Sequence, residues 1–305
     1  MPHTLPRGLV LVSIHQEDGA ETLGLRTERG ILDIRAAACR FGLAAPLSVE
    51  SMLRDGRADE LATLAARALA ADAADLFRDE AGLRHGRLFT HPDKIICVGL
   101  NYRRHAAEVG AQPPRVPPLF NKFANALAPH GGTITLPPPE IARKFDYETE
   151  LVVVIGKPAR NVSEAEALGY VAGYCVGNDF SARDLQMELP AGQWLVGKTL
   201  DGFAPVGPWF VSADLVGNPD ALAIGTRVNG ELRQSSTTAD FIFTTAQIVA
   251  YISRYWTLMP GDLIFTGTPE GVILGYPEDK RQWLKAGDAI VSSIEKLGDL
   301  KFTLQ

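Results

Sequence analysis

Asp146-Tyr-Glu148-Thr-Glu150-Leu-Val-Val-Val-Ile155 sets three alternate carboxylates immediately before an unbroken apolar run. The apolar run reads as a strand, and on a strand successive side chains alternate, so Asp146, Glu148 and Glu150 are expected on one face. Three like charges so close repel one another and call for a compensating cation. Oxygen-only donors suit the hard ions Mg²⁺, Mn²⁺ or Ca²⁺ rather than zinc. The competing reading of an isolated D-x-E-x-E is a solvated face on an edge strand. Asp179 shifts the balance, because it follows the apolar stretch 170–176 and precedes a helix expected over 181–188, at a strand end where a site can form. An Asp there is also a common helix N-cap.

Outward from this stretch, short apolar runs punctuated by Pro and Gly predict strands at 95–99, 151–155, 170–176, 210–212, 223–228, 263–266 and 289–294. Helices are expected at 102–109, 163–168, 181–188 and 245–258. Long irregular connections at 111–118 and 137–144 surround the polar residues, as functional loops do. Composition shifts near residue 90. Before it lie strands at 9–14, 22–26 and 31–34, then a helix over 47–54 with Ser48 as N-cap and Gly56 beyond its end, then an Ala-rich helix over 59–78. The expected architecture is α+β, with a small N-terminal domain (1–90) and a catalytic domain (91–305).

The chain has 305 residues, 46% hydrophobic and 22% charged, so it can bury a large core and is not disordered. Its formal net charge of -6, without a run of like charges, argues against a nucleic-acid or anionic-membrane partner. No apolar stretch approaches the ~18 residues of a bilayer span, and residues 1–12 lack the pattern of a signal peptide, so residence in the cytoplasm is expected. Three scattered cysteines, Cys39, Cys97 and Cys175, suggest neither a disulfide framework nor a zinc knuckle.

His105 and Glu108 stand three apart on an expected helix, so they face the same way. A carboxylate can orient an imidazole and raise its basicity, which suits activation of water. A surface ion pair is the competing reading. Gly192-Gln-Trp-Leu-Val-Gly197-Lys198-Thr199 satisfies the phosphate-loop expression G-x-x-x-x-G-K-[ST]. Pro190 precedes it, and Pro205, Gly207 and Pro208 follow, so the strand and long helix that a phosphate loop joins are missing. A nucleotide site is therefore not expected.

Gly99-Leu-Asn-Tyr102-x-x-His105-x-x-Glu108, the D-x-E-x-E run, Asn178-Asp179-Phe-Ser-Ala-Arg183-Asp184-x-Gln186, Gly197-Lys198, Val228-Asn-Gly-Glu231 and Pro260-Gly-Asp-x-x-x-Thr266-Gly-Thr268-Pro269 resemble, in this order, the fumarylacetoacetate hydrolase family. The resemblance spans 94 to about 300. It implies a mixed β-sheet roll for the C-terminal domain, a homodimer, and Glu148, Glu150 and Asp179 as ligands of Mg²⁺ or Mn²⁺, with Ca²⁺ as a substitute. It also implies Lys198 at the metal site, stabilising an oxyanion, and Gln186 and Thr268 as substrate contacts. Arg183 is expected to pair with Asp184 or a ligand carboxylate near the substrate. Lys122 and Arg115, in the Pro-rich segment, are candidates to meet a distal substrate carboxylate.

The H-x-x-E pattern resembles family members that cleave acylpyruvates. The implied reaction is metal-assisted hydrolysis of a carbon–carbon bond in an acylpyruvate or related β-diketo acid, a small anionic 2-oxo acid substrate, with His105 oriented by Glu108 as the base. Isomerisation or decarboxylation of 2-oxo or 2-hydroxydiene dioates on the same metal site is the alternative within the fold. A non-catalytic oxo-acid or metal binding protein is the alternative outside it.

Overall fold

The computed structural model describes residues 4–189 and 192–305. The strand Thr149–Ile155 is buried at every position. Val152 and Val154 enter one core while Leu151, Val153 and Ile155 enter a second on the opposite face. A strand covered on both faces reads as a continuous apolar run, which is why 151–155 shows no polar alternation.

This strand pairs antiparallel with Val171–Asn178 on one side and Leu263–Phe265 on the other. Beyond Leu263–Phe265 the sheet continues in parallel to Ile95–Val98 and ends at Leu119–Lys122. Beyond Val171–Asn178 comes Ala204–Ser212, which pairs Val211 with Val10 and Phe210 with Leu11. The N-terminal strands Val10–His15, Glu21–Thr27 and Gly30–Asp33 thus extend the same large mixed sheet. Helices Ile34–Phe41, Val49–Asp55 and Ala58–Ala70 cover one of its faces through Ala37, Met52, Leu61 and Leu64, which meet Cys97, Val152 and Val154 in one core. The other face packs on a five-stranded sheet built from Glu231–Thr237, Ala223–Val228, Ala289–Ile294, Gly298–Leu304 and Gly132–Ile134. Buried Ile224, Ile290 and Phe302 fill the gap between the sheets. The α+β class and the mixed sheet are as expected.

Local chemistry accounts for several boundaries. Ser48 caps the second helix with a reciprocal bond to Ser51, and Gly56 closes it at φ 67°. The third helix stops at Ala70 rather than running to Arg78, because Phe77 and Arg78 are drawn into the sheet opposite Leu32 and Ile31. The helix Ile34–Phe41, capped by Asp33, was not anticipated. Asp146 corrects the single-face reading of the carboxylates. It lies in a separate short strand, Phe145–Asp146, paired with Ser181–Ala182, and the backbone at Tyr147 and Glu148 is not strand, so alternation breaks there.

Candidate metal centre and catalytic pocket

The paired strands Thr149–Ile155 and Val171–Asn178 deliver the acidic cluster at one end. Thr149 stands opposite Asn178, whose side-chain oxygen accepts from the Glu148 N–H at 3.1 Å, and the Asp179 N–H donates to the Glu148 carbonyl at 2.8 Å. Glu148, Glu150 and Asp179, all buried, each bring one carboxylate oxygen within 4.8 Å of the others. Asp179 is not a helix cap: the helix Arg183–Met187 starts after Ala182, with no side-chain cap.

Three cations are packed around these carboxylates. Arg183 reaches Asp146 at 2.9 Å, Glu148 at 2.7 Å and the Gln186 side-chain Oε1 at 2.8 Å. Lys198 Nζ donates to Glu148 Oε2 at 2.5 Å and Asp179 Oδ2 at 2.9 Å. Lys122 Nζ sits 2.6 Å from Asp179 Oδ1, but its hydrogen bonds go to the carbonyls of Phe180, Lys198 and Phe203. Asp179 Oδ1 therefore accepts no aligned hydrogen bond among the described residues. Burial pushes Glu148 up, but Arg183 and Lys198 outweigh it and hold the carboxyl well below the usual range. Burial also opposes charge on Lys198, and Asp179 and Glu148 overcome it, so the ammonium stays protonated.

Glu150 differs. Among the described residues its one side-chain hydrogen bond is from the Gly267 N–H at 2.7 Å and no cation pairs with it, and burial together with Asp179 and Glu148 pushes its carboxyl well up. Asp146, Glu148, Glu150 and Asp179 outnumber Arg183, Lys198 and Lys122 by one, and Glu150 is the unpaired member. A buried carboxylate without a counter-charge and an unaligned Asp179 oxygen beside it fit a hard divalent cation.

Gly267 can serve Glu150 because it adopts φ 97° and lies so close to Asn101 that a Cβ would stand 2.8 Å from the Asn101 Cβ. Asn101 donates to the Thr266 carbonyl at 2.8 Å and accepts from the Phe243 N–H at 2.8 Å, which fixes the start of the helix Arg103–Glu108. That helix brings His105 to the site. His105 Nδ1 faces Glu108 Oε2 at 3.2 Å, and Glu108 Oε1 accepts from the Gly271 N–H at 2.9 Å. A carboxylate opposite Nδ1 selects the tautomer protonated there and leaves the Nε2 lone pair free as a base.

The acidic triad, His105, Arg183, Gln186, Lys198 and Thr268 line one cavity of about 260 Å³, whose remaining wall includes Phe120, Trp194 and Leu274. Lys122 lies behind the triad and Arg115 is exposed, so neither is brought to the cavity. Lys122 is held back by the three carbonyls. The phosphate-loop pattern forms no phosphate loop. Lys198 ends a single turn, Leu195–Lys198, and its ammonium belongs to the carboxylates. Gly197 is required by crowding, because a Cβ would meet Ala182 O and Gln186 N at 2.6 Å. Pro190, which precedes the pattern, lies outside the described residues.

The sequence motifs contain Asn101 and Asn178 without assigning either a role, and Gln234 was passed over. Gln234 is hidden by a bulge: Thr226 pairs with Gln234 and Arg227 with Leu232, so the residue between them, Arg233, is unpaired and the inward-facing parity changes.

Fold and site together define an enzyme organised around a buried carboxylate cluster fitted to a divalent metal. The chain belongs to the fumarylacetoacetate hydrolase family: the family model described as fumarylacetoacetate (FAA) hydrolase, C-terminal, matches residues 94–305. It is 40% identical over 278 residues to the mitochondrial oxaloacetate tautomerase FAHD2A of Homo sapiens, covering 90% of this chain and 85% of the relative. Fumarylacetoacetate hydrolase from Exiguobacterium antarcticum superposes with a TM-score of 0.81 at 30% identity, covering 98% of this chain and 99% of that one. Fumarylpyruvate hydrolase from Pseudomonas aeruginosa, solved with Mn²⁺ and pyruvate, gives 0.62 at 38% identity over 69% of this chain and 88% of that one. No helix among the described residues is long and apolar enough to cross a membrane.

Proposed function

We propose that this protein is a divalent-metal-dependent hydrolase that cleaves a carbon–carbon bond in a small acylpyruvate or related β-diketo acid, releasing pyruvate or a similar 2-oxo acid. The observation that carries the reading is the His105–Glu108 pair, anchored through Gly271, on the same cavity as the three ligand carboxylates. Mg²⁺ or Mn²⁺, held by Glu148, Glu150 and Asp179, would supply Lewis acidity toward the carboxylate and 2-oxo oxygens of the substrate. His105 Nε2 takes a proton from water as that water adds to the distal carbonyl, and Glu108 keeps the imidazole aligned. Lys198, charged and lining the cavity, faces the developing oxyanion. The carbon–carbon bond then breaks, its electron pair remaining with the pyruvate fragment, which His105 reprotonates. Gln186, Arg183 and Thr268 hold the substrate. Assembly as a homodimer and residence in the cytoplasm belong to the same proposal.

The human relative favours a second reading, in which His105 moves a proton at C3 of oxaloacetate and no bond between carbons breaks. Turnover of acetylpyruvate, fumarylpyruvate and oxaloacetate with Mg²⁺ or Mn²⁺, repeated with chelator, with cleavage products resolved by mass and enol–keto exchange followed by ultraviolet absorbance, separates the two. Metal-dependent formation of pyruvate plus a second acid supports hydrolysis. Enol–keto exchange of oxaloacetate with no cleavage of any acylpyruvate supports tautomerisation and overturns the first reading.

A further inference from the structure

We infer that Gln234 is a positioning residue that fixes the Thr268 hydroxyl as a hydrogen-bond donor toward an anionic oxygen of the substrate; the inference rests on the reading of the cavity as a 2-oxo acid site. Gln234 is 1% exposed, and its amide is fully used. Oε1 accepts from the Thr149 N–H at 3.2 Å and from the Thr226 hydroxyl at 2.6 Å. Nε2 donates to Thr268 Oγ1 at 2.9 Å and to the Pro269 carbonyl at 2.8 Å.

The amide has one admissible orientation. A backbone carbonyl can only accept and a backbone N–H can only donate, so Nε2 must face Pro269 and Oε1 must face Thr149. Thr268 Oγ1 consequently accepts from Gln234, and its own proton must go elsewhere. No protein acceptor takes that proton among the described residues, and Thr268 lines the cavity opened by the acidic triad. A hydroxyl that accepts from Gln234 and whose own proton is unassigned presents a donor to that cavity. Thr149, the other end of the clip, sits between the ligands Glu148 and Glu150, so one side chain ties the metal-ligand strand to the turn carrying the donor.

A carboxylate in place of the amide inverts this polarity. In Gln234→Glu with the carboxyl ionised, the oxygen replacing Nε2 can only accept, so it takes the Thr268 proton and withdraws the donor from the cavity. Oxalate serves as the probe, titrated calorimetrically into protein saturated with Mg²⁺, with Mg²⁺ affinity measured separately. The expected result for Gln234→Glu and for Thr268→Val is oxalate affinity at least tenfold weaker with Mg²⁺ affinity within threefold of the parent. Thr268→Ser should retain both, and Gln234→Glu added to Thr268→Val should weaken oxalate no further. Parental oxalate affinity in folded Gln234→Glu, or a further tenfold loss when it is added to Thr268→Val, overturns the inference and leaves the functional reading standing. If Gln234→Glu does not fold, parental affinity in Thr268→Val decides against it. Failure of the parent protein to bind oxalate with Mg²⁺ overturns both.

Discussion

Lys122 Nζ lies 2.6 Å from Asp179 Oδ1, with both side chains wholly buried. The ammonium also binds three backbone carbonyls, so it offsets the charge of a proposed ligand carboxylate while knitting together the segments that carry Asp179 and Lys198.

Removing one partner of a buried pair strands the other, at a cost of about 3–5 kcal/mol. Lys122→Met leaves Asp179 with one cation fewer and three carbonyls without a donor. The expected outcome is destabilisation in that range, read from urea unfolding. A change below about 1 kcal/mol would show that the ion pair is not what holds this region together.

Glu148 and Glu150 should respond oppositely in metal-free buffer, although both are proposed ligands. Glu148→Gln removes the charge that Arg183 and Lys198 share and should cost about 2–3 kcal/mol. Glu150→Gln replaces a carboxyl that burial, Asp179 and Glu148 already push toward its neutral form with an uncharged group that keeps an acceptor for the Gly267 N–H, so stability should equal or exceed that of the parent. Both variants should lose the rise in Tm that Mg²⁺ produces in the parent, because a ligand stabilises only the state that binds it. A parental Mg²⁺ response in Glu150→Gln would remove Glu150 from the ligand set.

How far the site could be read from the chain follows from the range of the interactions involved. Glu148, Glu150 and the apolar run after them are local, and their spacing announces both a strand and a charge cluster. Asp146 obeys the same spacing, yet it binds Arg183 and the N–H groups of Ile273 and Leu274, because the strand breaks at Tyr147. Nothing within a few residues of Asp146 reports that break. Gln234 is silent for a related reason: one bulge residue changes which side chains face inward. Lys122 shows the limit for long side chains, whose heads are placed by distant carbonyls rather than by their neighbours in sequence.

The His105–Glu108 pair predicts a separation of binding from turnover. Removing a general base typically costs 10²–10⁴-fold in rate, so His105→Ala should lose about that much in kcat while Mg²⁺ affinity stays unchanged. Glu108→Gln keeps an acceptor for the Gly271 N–H and therefore the turn, but weakens the orientation of the imidazole, so a smaller loss of kcat is expected. Steady-state kinetics with a Mg²⁺ titration test both. Undiminished turnover in His105→Ala would take His105 out of the chemistry.

A histidine pair remote from the carboxylates sets part of the acid limit of stability. His85 and His130 pack edge to face with ring centroids 4.6 Å apart, in a groove between the N-terminal segment and the C-terminal strand. Burial, reinforced by His85 and Lys301, pushes His130 down to about 4, and burial also lowers His85. An unfolded His titrates near 6.5. Between those values the unfolded chain binds a proton that folded His130 refuses, so stability is complete above about pH 6.5 and declines as the pH falls toward 4. His130→Gln should lose less stability than the parent over that interval, by about 1 kcal/mol once the partial exposure of the ring is allowed for. Urea midpoints at pH 7.5 and 4.5 provide the comparison, and an identical acid loss in variant and parent would assign the limb to other groups.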